Sequence, residues 1–270
     1  MESRLPTPPA PPSEKRDRHG GRVQSLSRAI AILRIVADAR GGIALNAVAR
    51  TAGLAPSTAH RLLTTLKHER LVQDDGHGLW RVGPDAFAIG SAFLRERNIL
   101  DFARPVMQRL MRETGETVNL AVEVEGEALY LTQVECEQIM RAFSKPGTRV
   151  PMHSSAVGKA LLAELPPQRV AAIVEQHGLA KITDRTITQR PALDADLEMV
   201  RKRGYAIDDA EHAVGLRCIA AAIRSGEGLP VAAVSVSAPA ARVPDQRIPE
   251  LGAAVRRAAD EIAAASGRQG

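Results

Sequence analysis

The chain has 270 residues, 44% of them hydrophobic and 25% charged, which suits two domains of the usual ~100–200 residues better than one core. No run approaches the roughly 18 uninterrupted apolar residues of a membrane-spanning helix, and the first twenty residues lack the order of an export signal, so a cytoplasmic protein is expected. Two cysteines, Cys136 and Cys218, exclude a disulfide framework and a C-x-x-C zinc site. The net charge of +5 falls entirely within residues 1–90, where 13 Lys and Arg face 8 Asp and Glu. That asymmetry is the balance of a nucleic-acid module joined to a neutral second domain.

Residues 1–21 hold five prolines between Pro6 and Pro12, then mixed charges and two glycines. Such a stretch cannot bury a core, and a disordered tail is expected. From Val23 a helical period appears, with Leu26, Ala29, Ile30, Leu33 and Val36 at three- and four-residue steps up to the glycines at 41 and 42. Leu45, Val48 and Ala49 then line a short helix, Gly53 supplies a tight turn, and Pro56 opens the next helix at the position where proline is tolerated.

This next helix, Pro56 to about Lys67, divides between two faces. Ala59, Leu62, Leu63 and Leu66 form an apolar stripe, leaving Ser57, Thr58, His60, Arg61, Thr64, Thr65 and Lys67 outside with no acid before Glu69. Surface helices usually mix Glu with Lys, so a face of hydroxyls, imidazole and cations suits phosphates and base edges. The segment 71–84 alternates around an Asp-Gly turn and reads as a β-hairpin. Helix, helix-turn-helix and hairpin in that order predict a winged helix-turn-helix over residues 22–84, with Ala55 a weak N-cap for the second helix.

Residues 85–98 carry Phe87, Ile89, Phe93 and Leu94 on a helical period and predict a linker helix. A second domain is expected over 99–268. It begins with a helix at 101–115 and a hairpin about Glu125–Gly126–Glu127, and a further strand is expected in "MRAFSK" (140–145). Helices at 154–165, 166–178 and 192–204 follow, then strands in "YAIDD", "LRCIAAAIR" and "PVAAVSVSAP", and a closing helix at 248–266. Strand pairs interleaved with helices give an α+β fold on a mostly antiparallel sheet. No glycine-rich nucleotide loop, metalloprotease motif or internal repeat is present.

Two features of the second domain point to chemistry. Ser235 and Ser237, two apart on a strand, share a face while Val234 and Val236 take the other, and buried serines cost stability unless they find partners. Cys218 stands in an apolar run beside Arg217. It reads as a pocket residue, an inert core residue, or a nucleophile served by His212 or His153, and the last reading needs a base within hydrogen-bond reach.

The stretches "VQSLSRAIAIL", "GLAPSTAHRLLTTL", "MHSSAVGKALLA", "RKRGYAIDDAEHAVGLRCIAAAI" and "VAAVSVSAP" resemble the IclR family of bacterial transcriptional regulators over residues 22–267. The resemblance implies a GAF-like sensor domain that binds a small organic acid, and dimers, paired as tetramers, on palindromic double-stranded DNA operators. It implies no cofactor, no metal site and no catalytic residue. Carried onto this sequence, the family's carboxylate site falls on Ser155, Ala156, Val157, Asp208, Cys218, Ser235 and Ser237, with Ile139, Ala142, Val150 and Leu216 as an apolar wall. A helix N-terminus at Ser155–Val157 would suit a carboxylate. The family branch that senses glyoxylate or pyruvate usually has Gly-Ala where this chain has Ala156–Val157, and the added methyls narrow the anion site.

The expected protein is therefore a ligand-responsive DNA-binding regulator with repression as the sense of control. Ser57, Thr58, His60 and Arg61 would reach bases or phosphates, and Thr64, Thr65 and Lys67 would hold the backbone. Two rivals remain: a small-acid enzyme using Cys218, and an architectural DNA-binding protein with a ligand-free second domain.

Overall fold

The computed structural model describes residues 23–95, 99–139, 142 and 145–266. They form two compact units, one ending at Phe93 and the other beginning at Leu94. The expected tail, residues 1–21, lies outside the described residues.

The first unit runs α1 (Gln24–Asp38), β1 (Ile43–Ala44), α2 (Leu45–Ala52), α3 (Pro56–His68), β2 (Val72–Asp74) and β3 (Leu79–Val82), and α4 (Pro84–Arg95) follows. Ile32, Val36, Val48, Leu63, Leu66 and Trp80 close its core; in α1 the fully buried positions are Ile32 and Val36, while Leu26 and Ile30 of the expected stripe are exposed. Gly53 adopts the left-handed conformation (φ 63°) and its N–H reaches back to the α2 carbonyls, ending that helix and aiming the chain into α3. Ala55 caps α3 without any side-chain hydrogen bond, and Pro56 occupies its first turn. The wing is a three-stranded sheet in the order β1-β3-β2, one strand more than the hairpin expected from sequence. Two residues are too short to announce β1 by alternation.

The second unit contains α5 (Ile99–Thr114), β4 (Thr117–Val124), β5 (Glu127–Val134), β6 (Arg149–Pro151), α6 (Ala156–Glu164), α7 (Pro167–His177), α8 (Arg190–Arg203), β7 (Ala206–Asp209), β8 (Leu216–Arg224), β9 (Pro230–Pro239) and α9 (Ile248–Ser266). Its six strands pair in the order β6-β5-β4-β9-β8-β7, every pairing antiparallel. The strand expected at 140–145 is not found where described: Ala142 and Lys145 belong to no strand, and Met140, Arg141, Phe143 and Ser144 lie outside the described residues. The edge strand is β6, which begins at Arg149 just after a turn at Pro146–Gly147.

Alternation gives the sheet two distinct faces. On one, Val118, Leu120, Ile219, Val234 and Val236 pack with α5 and α9. On the other, Ala121, Ala220 and Ala233 pack with Val157 and Leu161 of α6. The small residues on this second face let α6 lie close, and Gly158 is needed where α6 meets the turn that leads into it: a Cβ there would sit 2.4 Å from Met152 Cα. Among the described residues no helix is long and apolar enough to cross a membrane.

Candidate functional site

In the first unit, α3 presents Ser57, His60, Arg61, Thr64, Thr65 and Lys67 to solvent, while Thr58 is half-buried. The Thr64 and Thr65 hydroxyls donate to the carbonyls of His60 and Arg61 at 2.9 and 3.0 Å, so they offer acceptor lone pairs outward. Lys67 pairs through Nζ with Asp74 of β2, which ties the end of α3 to the wing and leaves its charge partly spent. Arg61 makes no hydrogen bond or ion pair among the described residues, and it stands ready for an external acceptor such as a phosphate or guanine. At the wing tip, Asp75 Oδ1 accepts the N–H groups of His77 and Leu79 and its other oxygen pairs with Arg81, so this acid serves the turn.

The second unit holds a buried polar site on the α6 face of the sheet. Antiparallel register aligns Asp208 (β7), Cys218 (β8), Ser237 (β9) and Thr117 (β4) as direct neighbours in one row. The adjacent row holds Ala220, Ser235, Asn119 and Gln133. Asn119 Nδ2 donates to Ser237 Oγ at 3.1 Å, and Gln133 Nε2 donates to Asn119 Oδ1 at 2.9 Å. Ser235 is 1% exposed, and its hydroxyl has no partner among the described residues. The Ser154 hydroxyl and His212 Nδ1 are likewise buried without partners. Native interiors leave few such groups unsatisfied, so each of these is a place where a polar guest could bind.

Ser155, Ala156 and Val157 stand at the start of α6, all buried. The Ser155 hydroxyl is consumed as the helix cap, accepting from Gly158 N at 3.2 Å and donating to Pro151 O at 2.9 Å. What this helix end can still offer is the backbone N–H of Ala156 and of Val157. Of the implied wall, Ala142 and Val150 are buried and Leu216 is half-buried. Ile139 departs from expectation at 97% exposed: it lies beyond the end of β5, where no strand alternation turns it inward.

Electrostatics separate the roles. Asp208 Oδ1 accepts the N–H groups of Glu211 (2.7 Å) and His212 (3.2 Å), folding the β7–β8 loop over the site. Burial pushes its carboxyl up to about 7 despite those two donors. Burial also raises the Cys218 thiol well above its ordinary range, with the Asp208 charge adding to it, so no thiolate is available. His153 and His212 are held below the ordinary imidazole range, chiefly by burial. His153 Nε2 lies 3.1 Å from Ala180 O, and His212 Nδ1 touches no partner, so neither acts as a base for Cys218.

Reasoning from sequence missed Thr117, Asn119 and Gln133, which join the site only through the pairing of β4 with β9, and also missed Lys159. The Lys159 ammonium, 1% exposed, meets Glu211 Oε1 at 2.5 Å and Asp196 Oδ2 at 3.0 Å, joining α6, α8 and the β7–β8 loop. A lone lysine inside "AVGKALLA" was the available signal. Among the described residues no group of three or more His, Cys, Asp or Glu could hold a metal ion.

Comparison with known proteins gives matches along nearly the whole described chain. Residues 25–76 match the family described as the IclR helix-turn-helix domain, and residues 91–264 match that described as the bacterial transcriptional regulator IclR C-terminal. The transcriptional repressor IclR of Escherichia coli K12 is 44% identical over 250 residues, spanning 92% of this chain and 91% of the relative. The crystal structure of the Thermotoga maritima IclR superposes with a TM-score of 0.78 at 31% identity, covering 90% of this chain and 98% of that one. An IclR homolog from Microbacterium hydrocarbonoxydans, solved in complex with 4-hydroxybenzoate, gives a TM-score of 0.75 at 26% identity over 89% of this chain and 98% of that one.

Proposed function

The chain belongs to the IclR family of bacterial transcriptional regulators, and on that premise we propose that it is a cytoplasmic repressor released from, or held on, its operator by a small carboxylic acid. It is a DNA-binding transcriptional regulator and not an enzyme. In our reading α3 enters the major groove, with Arg61 as the base reader and Ser57, Thr58 and His60 at bases or phosphates. Thr64 and Thr65, whose hydroxyl protons serve helix carbonyls, would meet the phosphate backbone through bridging water, and Lys67 contributes only part of its charge because Asp74 holds it. A dimer would set two such helices on the half-sites of a palindrome, roughly 34 Å or a multiple of it apart, and dimers would pair as tetramers.

The acid would sit between the α6 N-terminus and the Asp208–Cys218–Ser237 row, its carboxylate taking the N–H groups of Ala156 and Val157 and the Ser235 hydroxyl. The observation that carries this is Ser235, buried and unpartnered two residues from a Ser237 that accepts from Asn119. The IclR homolog crystallised with 4-hydroxybenzoate supports an acid as the ligand. Regulation needs only that the acid favour one arrangement of the protein, and a coupling of about 1–3 kcal/mol is typical.

The test is thermal unfolding of the purified protein with glyoxylate, pyruvate and 4-hydroxybenzoate, followed by operator binding with and without the best stabiliser. An acid at 100 times its Kd adds roughly 2.7 kcal/mol, an easily read shift. An acid that stabilises the protein but leaves operator affinity unchanged would refute the regulatory reading.

A further inference from the structure

We infer that this site takes its effector as an acid, a monocarboxylate bound together with one proton held on Asp208, and that it rejects dicarboxylates. The inference rests on the reading of the pocket as a carboxylate sensor.

The argument is one of charge. The β7–β8 loop brings Glu211 and His212 to Asp208, β8 brings Cys218, β9 brings Ser237, and α6 brings Lys159. His153, just before α6, stands near Lys159 and His212. Asp209, next on β7, takes the opposite face and pairs there with Arg217 and Arg185. Among the described residues the one buried ammonium is Lys159, and it already serves Glu211 and Asp196. Arg203 approaches Asp196 no nearer than 3.7 Å. Both histidines are kept neutral by burial, and the thiol is far from ionising. Asp208, Glu211 and Asp196 therefore face one buried ammonium and one guanidinium that reaches only Asp196, an excess of one carboxylate before any ligand arrives.

An anion added to that cluster would stand beside an ionised Asp208 with nothing to offset it. Two carboxylates in contact share a proton rather than both ionise. The geometry shows where the proton goes: Oδ1 is occupied by two backbone N–H donors, and Oδ2 has no partner among the described residues. A hydroxyl at Oδ2 would donate to the incoming carboxylate, so Asp208 becomes a second donor on the same sheet face as the unpartnered Ser235, which lies in the adjacent row. The balance is one effector anion plus one proton from solvent, giving a neutral carboxyl hydrogen-bonded to a carboxylate. Burial already holds this carboxyl near half-protonation at neutral pH. A second carboxylate on the ligand would bring another charge with no group left to neutralise it.

The experiment is titration calorimetry of the full-length protein with sodium glyoxylate, pyruvate and 4-hydroxybenzoate at about pH 6 and pH 8.5, in buffers of different ionisation enthalpy. Proton linkage predicts near-zero uptake at the lower pH, about one proton per acid at the higher, and a Kd rising toward tenfold per pH unit above about 7. Asp208→Asn, which keeps an acceptor and a donor in place, is expected to bind with no proton uptake and a flat pH profile. Malonate is expected to give no heat. Binding at the higher pH without proton uptake, or malonate binding as tightly as pyruvate, overturns the inference while leaving the sensor reading intact. Silence from every acid at both pH values overturns the sensor reading itself and the inference with it. The uptake measured on the unaltered protein decides the matter even if the Asn variant does not fold.

Discussion

Asn119 and Ser235 stand directly opposite each other on β4 and β9, yet the Asn119 amide passes over Ser235 and donates diagonally to Ser237 at 3.1 Å. Gln133 fixes the Asn119 amide from its other side, so it is not free to turn back. The result is one serine bonded and one left open in the same buried strand.

Ser235→Ala is therefore expected to leave the ligand-free protein as stable as before, or more stable by up to about 1 kcal/mol, because it removes an unpartnered hydroxyl. The same change should abolish the melting shift given by the best acid of the panel. Differential scanning fluorimetry with and without acid reads both effects, and a variant that keeps the full ligand shift would remove Ser235 from the site.

Lys159→Met should cost about 3–5 kcal/mol in urea unfolding, since it strands Glu211 and Asp196 in the interior. Adding Glu211→Gln to it is expected to recover part of that loss. If the double variant is no more stable than the single, the pair is not the source of the cost.

Arg61→Ala concerns only an exposed side chain without internal partners, so its unfolding curve should overlay that of the parent. Operator affinity, followed by fluorescence anisotropy, should fall at least tenfold, on the scale of the ~1–3 kcal/mol of a good arginine–guanine contact. An unchanged affinity for operator and for scrambled DNA would exclude α3 as the reading helix.

Buried groups of opposite sense set the pH dependence of stability at and below neutrality. Asp208, raised to about 7 by burial, contributes stability that is full below the ordinary carboxylate range and is lost as pH rises through about 7. His153 and His212 are lowered, so their contribution is present above the ordinary imidazole value of about 6.5 and is lost as pH falls through their folded values. Melting temperatures from about pH 5 to 9 test this. Relative to the parent, Asp208→Asn should gain stability steadily from about pH 5 and reach a plateau of roughly 2–4 kcal/mol above about pH 7.

Periodicity and turn residues carried most of the architecture. The helix pair joined at Gly53, the wing, the hairpin at Glu125–Gly126, and the inward serines of β9 all follow from neighbours within a few positions. What local pattern could not reveal depends on strand order. Asn119 joins Ser237 across 118 residues because β4 lies beside β9, and no spacing encodes that adjacency. The roles of Ser155 and Lys67 were obscured for a related reason: a hydroxyl or ammonium is visible in sequence, but the cap or carboxylate that occupies it is visible only in space. Ile139 failed as a wall residue because its segment follows no period at all.

The alternation of β9 also bears on how such a sensor can be retuned. Even-numbered positions from Ala232 to Ala238 belong to the layer held by α5 and α9, whereas Ala233, Ser235 and Ser237 face α6. Parity along one strand thus assigns one set of positions to the α5–α9 layer and the other to the α6 layer, where Ala233 packs and Ser235 and Ser237 would meet a guest in the proposed site. Libraries at positions 235 and 237 would retune that proposed site while the α5–α9 layer stays untouched.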